Sequence, residues 1–348
     1  MPLRRIFLSV LPLRYLRTPS WWYAKASLWP ALLAPAGLVW NAVTRARWAL
    51  AKPYRSSLPV ICIGNFTAGG AGKTPAALAV AHILVNAGER PIFLTRGYGG
   101  CTHGPHLVNP SHDTACLVGD EPLLLAREAP TIVAADRAEG ARLAERQNAS
   151  VIIMDDGFQN PGLAKTASLI VIDGSLGLGN EHVIPAGPLR ASLGFQLALT
   201  DGIILVGDGD AAGRVHALAQ GASLPVLSSQ IVAEPGSGWL KNKSLVAFAG
   251  IAHPDKFFRT LEDLGGRLME RVPYPDHHAF TQGDAENLLR LASEHGAQLV
   301  TTQKDFVRIE GGAELQKLKR KSQTLPVRLQ FKDEKAAKEI ISRLVRPA

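Results

Sequence analysis

The stretch LPVICIGNFTAGGAGKTPAALAVAHILVNAG, residues 58–88, decides the fold. Its opening, LPVICIG (58–64), is a short apolar, β-branched run ending in glycine, the pattern of a strand buried on both faces. Residues 74–88 read as the helix that follows, with Pro75 in the first turn, alanine and leucine within, and Gly88 as the stop. Between them lies a glycine-rich loop whose backbone N–H groups can face a phosphate, beside the positive end of the helix. The strict loop pattern G-x-x-x-x-G-K-[ST] asks for glycine where this chain has Thr67. The chemistry survives the substitution, because Gly69, Gly70 and Gly72 still supply small, conformationally permissive positions. Thr67, Ala68, Gly69, Gly70, Ala71, Gly72, Lys73 and Thr74 are therefore expected to bind a nucleotide. Lys73 would meet the β- and γ-phosphates of ATP, and the Thr74 hydroxyl would hold Mg2+.

Outward from this unit the chain alternates strand and helix. Strand candidates are 90–95, 130–135, 150–155, 168–173 and 201–207, with helices at 136–148 and 210–221. Such a series predicts a mostly parallel sheet covered on both faces, here an α/β core of the P-loop NTPase type over 56–228. A composition break with Pro235, Gly236 and Gly238 marks a linker at 229–240. A second, smaller α/β unit follows over 241–324, with strands at 244–251 and 297–302 and helices near 254–265 and 283–296. Residues 325–348 read as a returning strand and a last helix.

A phosphate loop needs a carboxylate for its metal, usually where a neighbouring strand ends. VIIMDDGFQ (151–159) supplies Asp155 and Asp156 at that point, and two adjacent carboxylates ask for a cation. Asp120 and Glu121, two further ligand candidates, lie in VGDEP (118–122), a Gly/Pro-bounded loop in which a carboxylate would ordinarily be solvated. PYPDHHAFT (273–281) brings Asp276, His277 and His278 together; they suit a turn, a metal, a substrate contact or a general base. Arg96 in TRGYGG and Arg190 in PAGPLR are the basic candidates for an anionic substrate.

Charge is unevenly placed. Residues 1–88 contain no Asp or Glu but ten Lys and Arg, together with Trp21, Trp22, Trp29, Trp40 and Trp48. A basic, tryptophan-rich front end suits an anionic membrane surface, whereas nucleic-acid binding would favour basic residues throughout. A cleaved signal peptide lacks a clear apolar core and cleavage site. The best apolar run, 28–43, has 16 residues with Pro30 and Pro35 inside, short of the ~20 a spanning helix needs. A helix docked to the core has the same spacing, but interfacial helices within 1–55 fit best. Cys62, Cys101 and Cys116 show neither a C-x-x-C spacing nor an even framework, as in a reducing compartment.

Taken in order, GNFTAGGAGKTP, TRGYGG, VGDEPLLLA, DDGFQ, GLGNEHVIPAGPLR, FAGIAHPDKFF, PDHHAFT and TTQKD resemble the tetraacyldisaccharide 4'-kinase (lipid A 4'-kinase) family over almost the whole chain. The resemblance implies a P-loop α/β core joined by a two-stranded linker to a smaller subdomain, with a membrane-associated N-terminal helix. It implies transfer of the ATP γ-phosphate to the 4'-hydroxyl of a tetraacyldisaccharide 1-phosphate, with Mg2+, at the cytoplasmic face of the bacterial inner membrane. It further implies Asp120 as the residue activating that hydroxyl, paired with a histidine, for which the motif alignment favours His278 over His277. Arg190 becomes a phosphate contact. The chain departs from the family at Asn160, at GNEH (179–182) and at Gln303, none of them in the loop or the acidic pairs.

The competing reading is a P-loop switch ATPase acting through protein partners. Its nearest group has an early lysine in the loop where this chain has Ala68. The sequence gives no sign of a nucleic-acid or protein partner. A soluble small-molecule kinase fits the basic front end poorly.

Overall fold

Val60–Gly64 forms the central strand, β1, because all five of its residues are buried on both faces. The protein is described here by a computed structural model covering residues 19–24, 27–70 and 72–345. Chain order then gives β2 (Pro91–Thr95), β3 (His106–Leu107), β4 (Thr131–Val133), β5 (Val151–Asp155), β6 (Ala167–Asp173), β7 (Gly202–Val206) and β8 (Val226–Ala233). β9 (Ser244–Ala249), β10 (Arg267–Pro273), β11 (Gln298–Thr302), β12 (Ser322–Leu325) and β13 (Val327–Phe331) follow.

The large sheet runs β13-β8-β7-β6-β1-β5-β2-β4-β3. It is parallel except for β3 on β4 and β13 on β8, which close its two edges. Helix Lys73–Asn86 packs Ala76, Ala77, Val80, Ala81 and Leu84 onto one face. Helix Glu334–Val345 returns to that same face through Ala337, Ile341 and Val345. The smaller sheet, β10-β9-β11-β12, is wholly parallel and has its own apolar clusters around Leu261 and Leu288. The chain passes between the sheets after β8 and returns just before β13, so the antiparallel β8–β13 pair is the structural link.

Several elements differ from the sequence expectations. VGDEP is not a solvated loop: Asp120–Leu125 is a short helix, and Asp120 is 3% exposed. β10 went unrecognised because it is a polar strand with no fully buried residue, so it lacks the apolar run of β9.

Helix Trp29–Leu50 lies outside both sheets, with Pro30 at its start, where a missing N–H costs nothing, and Pro35 inside. Its inner face touches the 183–192 segment: a Cβ at Gly37 would meet the Val183 carbonyl at 3.0 Å, and Asn41 Oδ1 accepts from Ser192 N at 2.8 Å. Its outer face carries Leu32, Leu38, Val39 and Val43 in the open. Among the described residues, no helix is long and apolar enough to cross a membrane. The tryptophans divide. Trp22 donates to the Pro185 carbonyl and Trp48 packs edge-on against Phe195, so these two dock the front end to the core. Arg4, Arg5, Arg14, Arg17 and Lys25 lie outside the described residues.

Candidate active site

In a parallel sheet the loops at the carboxyl ends of the strands form the natural ligand crevice, and here that edge carries every acidic candidate of the core. The loop after β1 turns into its helix at Gly72, whose φ of 84° is left-handed; Gly69 adopts φ 115°. Register places Ile63 opposite Asp155, so the carboxylate ends β5 beside the loop. Asp155 Oδ2 accepts from Thr74 Oγ1 at 3.3 Å, while its buried Oδ1 has no hydrogen-bond partner. Burial, followed by the charges of Glu121 and Asp156, pushes the Asp155 carboxyl well above the usual carboxylate range, despite Lys73 and Thr74. A hydroxyl and a buried carboxylate with an orphaned oxygen are the hard donors that Mg2+ takes, completing its shell with water and substrate phosphate. Among the described residues there is no cluster of three or more His, Cys, Asp or Glu at metal-binding distance, so any cation held here would lean on the substrate.

Asp156 is not oriented as Asp155 is. Its backbone is left-handed (φ 50°), and its Oδ1 lies 3.6 Å from Lys73 Nζ and 3.9 Å from Arg190. Burial would raise its pKa, but the charges of Lys73, Arg190 and Arg137 lower it. The two expected metal ligands thus differ in their neighbours, Asp155 facing Thr74 and Asp156 facing cations, while each keeps a buried Oδ1 with no hydrogen-bond partner.

The loop is braced from one side. Arg190 donates through Nε to the Thr67 carbonyl at 3.2 Å and through Nη1 to Gln159 Oε1 at 3.1 Å; Gln159 Nε2 in turn donates to the Asn65 carbonyl. Ala68 N–H donates to the Pro188 carbonyl at 2.8 Å, which removes that amide from the set free to meet a phosphate. Ala71 lies outside the described residues, and among those described the N–H groups of Gly69, Gly70 and Gly72 have no such engagement. Arg96 is exposed at the end of β2, near the buried Arg137.

Across the loop stands the smaller unit. A cleft of about 1300 Å³ separates the two, bordered by Lys73, Thr74 and Asp173 on one side and by Ala252, Lys256 and Lys304 on the other. Lys256 Nζ spans it to Asp173 Oδ2 at 2.5 Å. Next to the cleft-lining Glu121 and Asp276, His277 Nδ1 lies 3.1 Å from Asp120 Oδ2. The motif alignment favoured His278 for this contact, and the geometry corrects it. His278 Nε2 sits 2.9 Å from Asp284 Oδ2 and its ring stacks on Tyr274, so it belongs to the start of helix Gln282–Glu294. His277, with φ 57°, is turned the opposite way and packs edge-on against Tyr98.

Asp120 is heavily paired. Its Oδ1 accepts from Glu121 N and its Oδ2 lies 3.0 Å from Arg308 Nε. Burial favours the neutral acid, but the His277 hydrogen bond and the charges of Lys304, His277 and Arg308 outweigh it and hold the pKa at about 2. An ionised carboxylate only accepts, so His277 donates from Nδ1 in this contact; in the tautomer that does so with one ring proton, Nε2 is the acceptor nitrogen.

Sequence reasoning missed four participants. Gln159 and Lys304 lay within quoted motifs, DDGFQ and TTQKD, without an assigned role. Lys304 pairs with Glu121 at 2.8 Å. Arg137 and Arg308 lay in no motif, and nothing in their spacing marked them.

Residues 29–346 match the family model described as tetraacyldisaccharide-1-P 4'-kinase. A tetraacyldisaccharide 4'-kinase of Rhodopseudomonas palustris is 46% identical over 328 residues, 94% of this chain and 95% of its own. Its counterpart in Methylorubrum extorquens is 50% identical over 285 residues, 81% of this chain and 86% of its own. The fold is also that of a crystallised Aquifex aeolicus protein solved with ATP, at TM-score 0.70 and 23% identity over 91% of this chain and 99% of that one. This chain belongs to the tetraacyldisaccharide-1-P 4'-kinase family.

Proposed function

We propose that the protein transfers the γ-phosphate of ATP to the 4'-hydroxyl of a tetraacyldisaccharide 1-phosphate, a step of lipid A biosynthesis. The observation that carries this reading is the presence of two half-sites: Thr74 with Asp155 at the phosphate loop, and Asp120 of the core with His277 of the smaller unit, whose neighbours Glu121 and Asp276 line the same cleft as Thr74.

Phosphoryl transfer requires positioning and charge neutralisation more than covalent chemistry. Lys73 and the backbone amides of Gly69, Gly70 and Gly72 receive the β- and γ-phosphates. Mg2+ held by Thr74 and Asp155 would neutralise charge on those phosphates. Asp156 holds Lys73 and Arg190 in place, and Arg190 keeps the loop in register through Thr67. His277 Nε2 takes the proton of the acceptor hydroxyl. Asp120 accepts from His277 Nδ1 and fixes the imidazole.

The acceptor is a lipid, and the exposed face of helix Trp29–Leu50 supplies the matching surface. Leu32, Val39 and Val43 recur at helical spacing on its outside, with Arg45 and Arg47 beyond them. This supports peripheral attachment to an anionic bilayer at the cytoplasmic face of the inner membrane, where the acyl chains remain in the lipid.

The test is incubation with ATP labelled at the γ-position, Mg2+ and the lipid disaccharide in mixed micelles. Label is expected in the lipid fraction. Steady ATP turnover that never labels lipid would favour a switch ATPase.

A further inference from the structure

We propose that Arg308 is a positioning residue that assembles the Asp120–His277 pair, by gripping the carboxylate of one lobe and the imidazole-bearing turn of the other with a single guanidinium. The inference rests on the kinase reading above and names a part of the same site.

Arg308 ends the helix Gln303–Arg308 and its side chain is 7% exposed. Its Nε lies 3.0 Å from Asp120 Oδ2, the oxygen that also meets His277 Nδ1. Nη2 donates to the Gly250 carbonyl at 3.0 Å, and Nη1 to the His278 carbonyl at 3.3 Å. The Gly250 carbonyl also accepts from His277 N–H at 3.1 Å. One side chain thus touches the carboxylate, the residue after His277, and the carbonyl on which the His277 backbone hangs. That backbone needs holding, since His277 is a non-glycine residue in left-handed conformation.

The grip is itself braced. Asp305 Oδ1 lies 3.2 Å from Arg308 Nη2 and accepts from Gly250 N–H at 3.0 Å, while Asp305 Oδ2 accepts from Thr302 Oγ1. The titratable and charged groups facing Asp120 are His277, Lys304 and Arg308, and Lys304 is committed to Glu121. Among these, Arg308 alone holds both the carboxylate and the turn that carries the imidazole. Its planar fork suits several acceptors in fixed directions, which the point charge of lysine cannot reproduce.

Two consequences follow. Asp120 Oδ2 keeps these two contacts only while the two lobes are docked, because Arg308 and His277 both come from the smaller one, whereas Oδ1 is held by Glu121 N–H of its own lobe. Loss of Arg308 disorders a pair acting in turnover, with no contact to the loop that receives ATP.

The experiment measures lipid phosphorylation by wild type, Arg308→Gln, Arg308→Lys, Asp120→Asn and the Asp120→Asn/Arg308→Gln double variant. Arg308→Gln is expected to lower kcat by about 10- to 100-fold, the usual cost of losing an orienting partner, with KM for ATP kept within about 3-fold. Arg308→Lys should recover part of the loss. In the Asp120→Asn background the further cost of Arg308→Gln should fall to about 2-fold or less, since residues acting as a unit are non-additive. Unchanged kcat in Arg308→Gln, or full additivity in the double variant, would overturn the proposal. If Arg308→Gln fails to fold, Arg308→Lys and its double variant with Asp120→Asn carry the same test. Absence of lipid labelling by the wild type would remove the kinase reading itself, whereas normal wild-type labelling with an indifferent Arg308 removes only this assignment.

Discussion

The indole Nε1 of Trp40 donates to the main-chain carbonyl of Arg190 at 3.1 Å. Trp40 belongs to the helix with the exposed apolar stripe, and the Arg190 guanidinium braces the phosphate loop through Thr67 and faces Asp156. The exposed apolar stripe is therefore fastened to the residue that braces the loop. Trp40→Phe keeps the ring and removes the donor. A neutral hydrogen bond is worth about 1 kcal/mol, and this one is half-exposed, so Tm should fall by less than about 3 °C. Turnover of the lipid acceptor should drop a few-fold with KM for ATP retained. Steady-state kinetics with each substrate varied in turn makes the check, and identical turnover would show the link to be passive.

The outer stripe of that helix should govern attachment. Leu32 and Val39 are seven residues apart on one face, 69% and 65% exposed. Burying such a side chain is worth roughly 1.5–3 kcal/mol, so the double change Leu32→Glu/Val39→Glu should weaken binding to anionic vesicles by at least about 100-fold. Its melting temperature should stay close to wild type, because neither side chain packs in the core. Vesicle co-sedimentation decides the matter; a wild-type protein that stays in the supernatant would contradict the attachment.

Asp155 should make stability depend on pH and on divalent cations. Its folded pKa is raised, first by burial and then by Glu121 and Asp156, so the folded protein holds this proton more tightly than the unfolded chain does. The contribution is fully present below the unfolded value of about 3.9 and is lost as pH rises through the folded pKa. Without divalent cation, Asp155→Asn should therefore raise Tm at pH 8 relative to pH 5. Mg2+ with ATP should raise the wild-type Tm and leave the variant nearly unmoved. Activity of Asp155→Asn should fall at least about 100-fold, the scale of several kcal/mol of metal-assisted charge stabilisation. Thermal melts across pH, with and without Mg2+-ATP, test all of this, and a variant that gains from Mg2+-ATP as much as wild type would contradict it.

Asp120 titrates in the opposite sense. Its pKa of about 2 lies below the unfolded value, so its contribution, roughly 2–3 kcal/mol, is present above pH ~4 and lost as pH falls towards 2. Asp120→Ala should remove that acid-side dependence from the stability curve. It should also lower kcat by two to four orders of magnitude, the range for general-base machinery, while leaving ATP affinity nearly intact. Denaturant melts from pH 2 to 7, alongside initial rates, provide the readout. A variant with full turnover would remove Asp120 from the chemistry.

The phosphate loop was legible because its chemistry is local: three glycines, Lys73 and Thr74 lie within six residues, after an apolar strand. Asp155 was legible for the same reason, since the buried run of β5 ends on it. The state of Asp120 was not, because the groups that set it lie more than 150 residues away in the other lobe: His277, Lys304 and Arg308. His277 and His278 are neighbours in sequence, and only the left-handed turn at His277 sends one to Asp120 and the other to Asp284. Composition identified the tryptophan-rich front end but not its division of labour. Trp22 and Trp48 need partners at Pro185 and Phe195 to be recognised as docking residues.

The most direct test of the account is the position of the new phosphate. After reaction with Mg2+-ATP, the extracted lipid product should show two phosphomonoester signals by 31P NMR, one at position 1 and one whose proton coupling assigns it to the 4' carbon. A product that keeps only the 1-phosphate, or that gains a pyrophosphate at position 1, would contradict the assignment of the acceptor hydroxyl and with it the central claim.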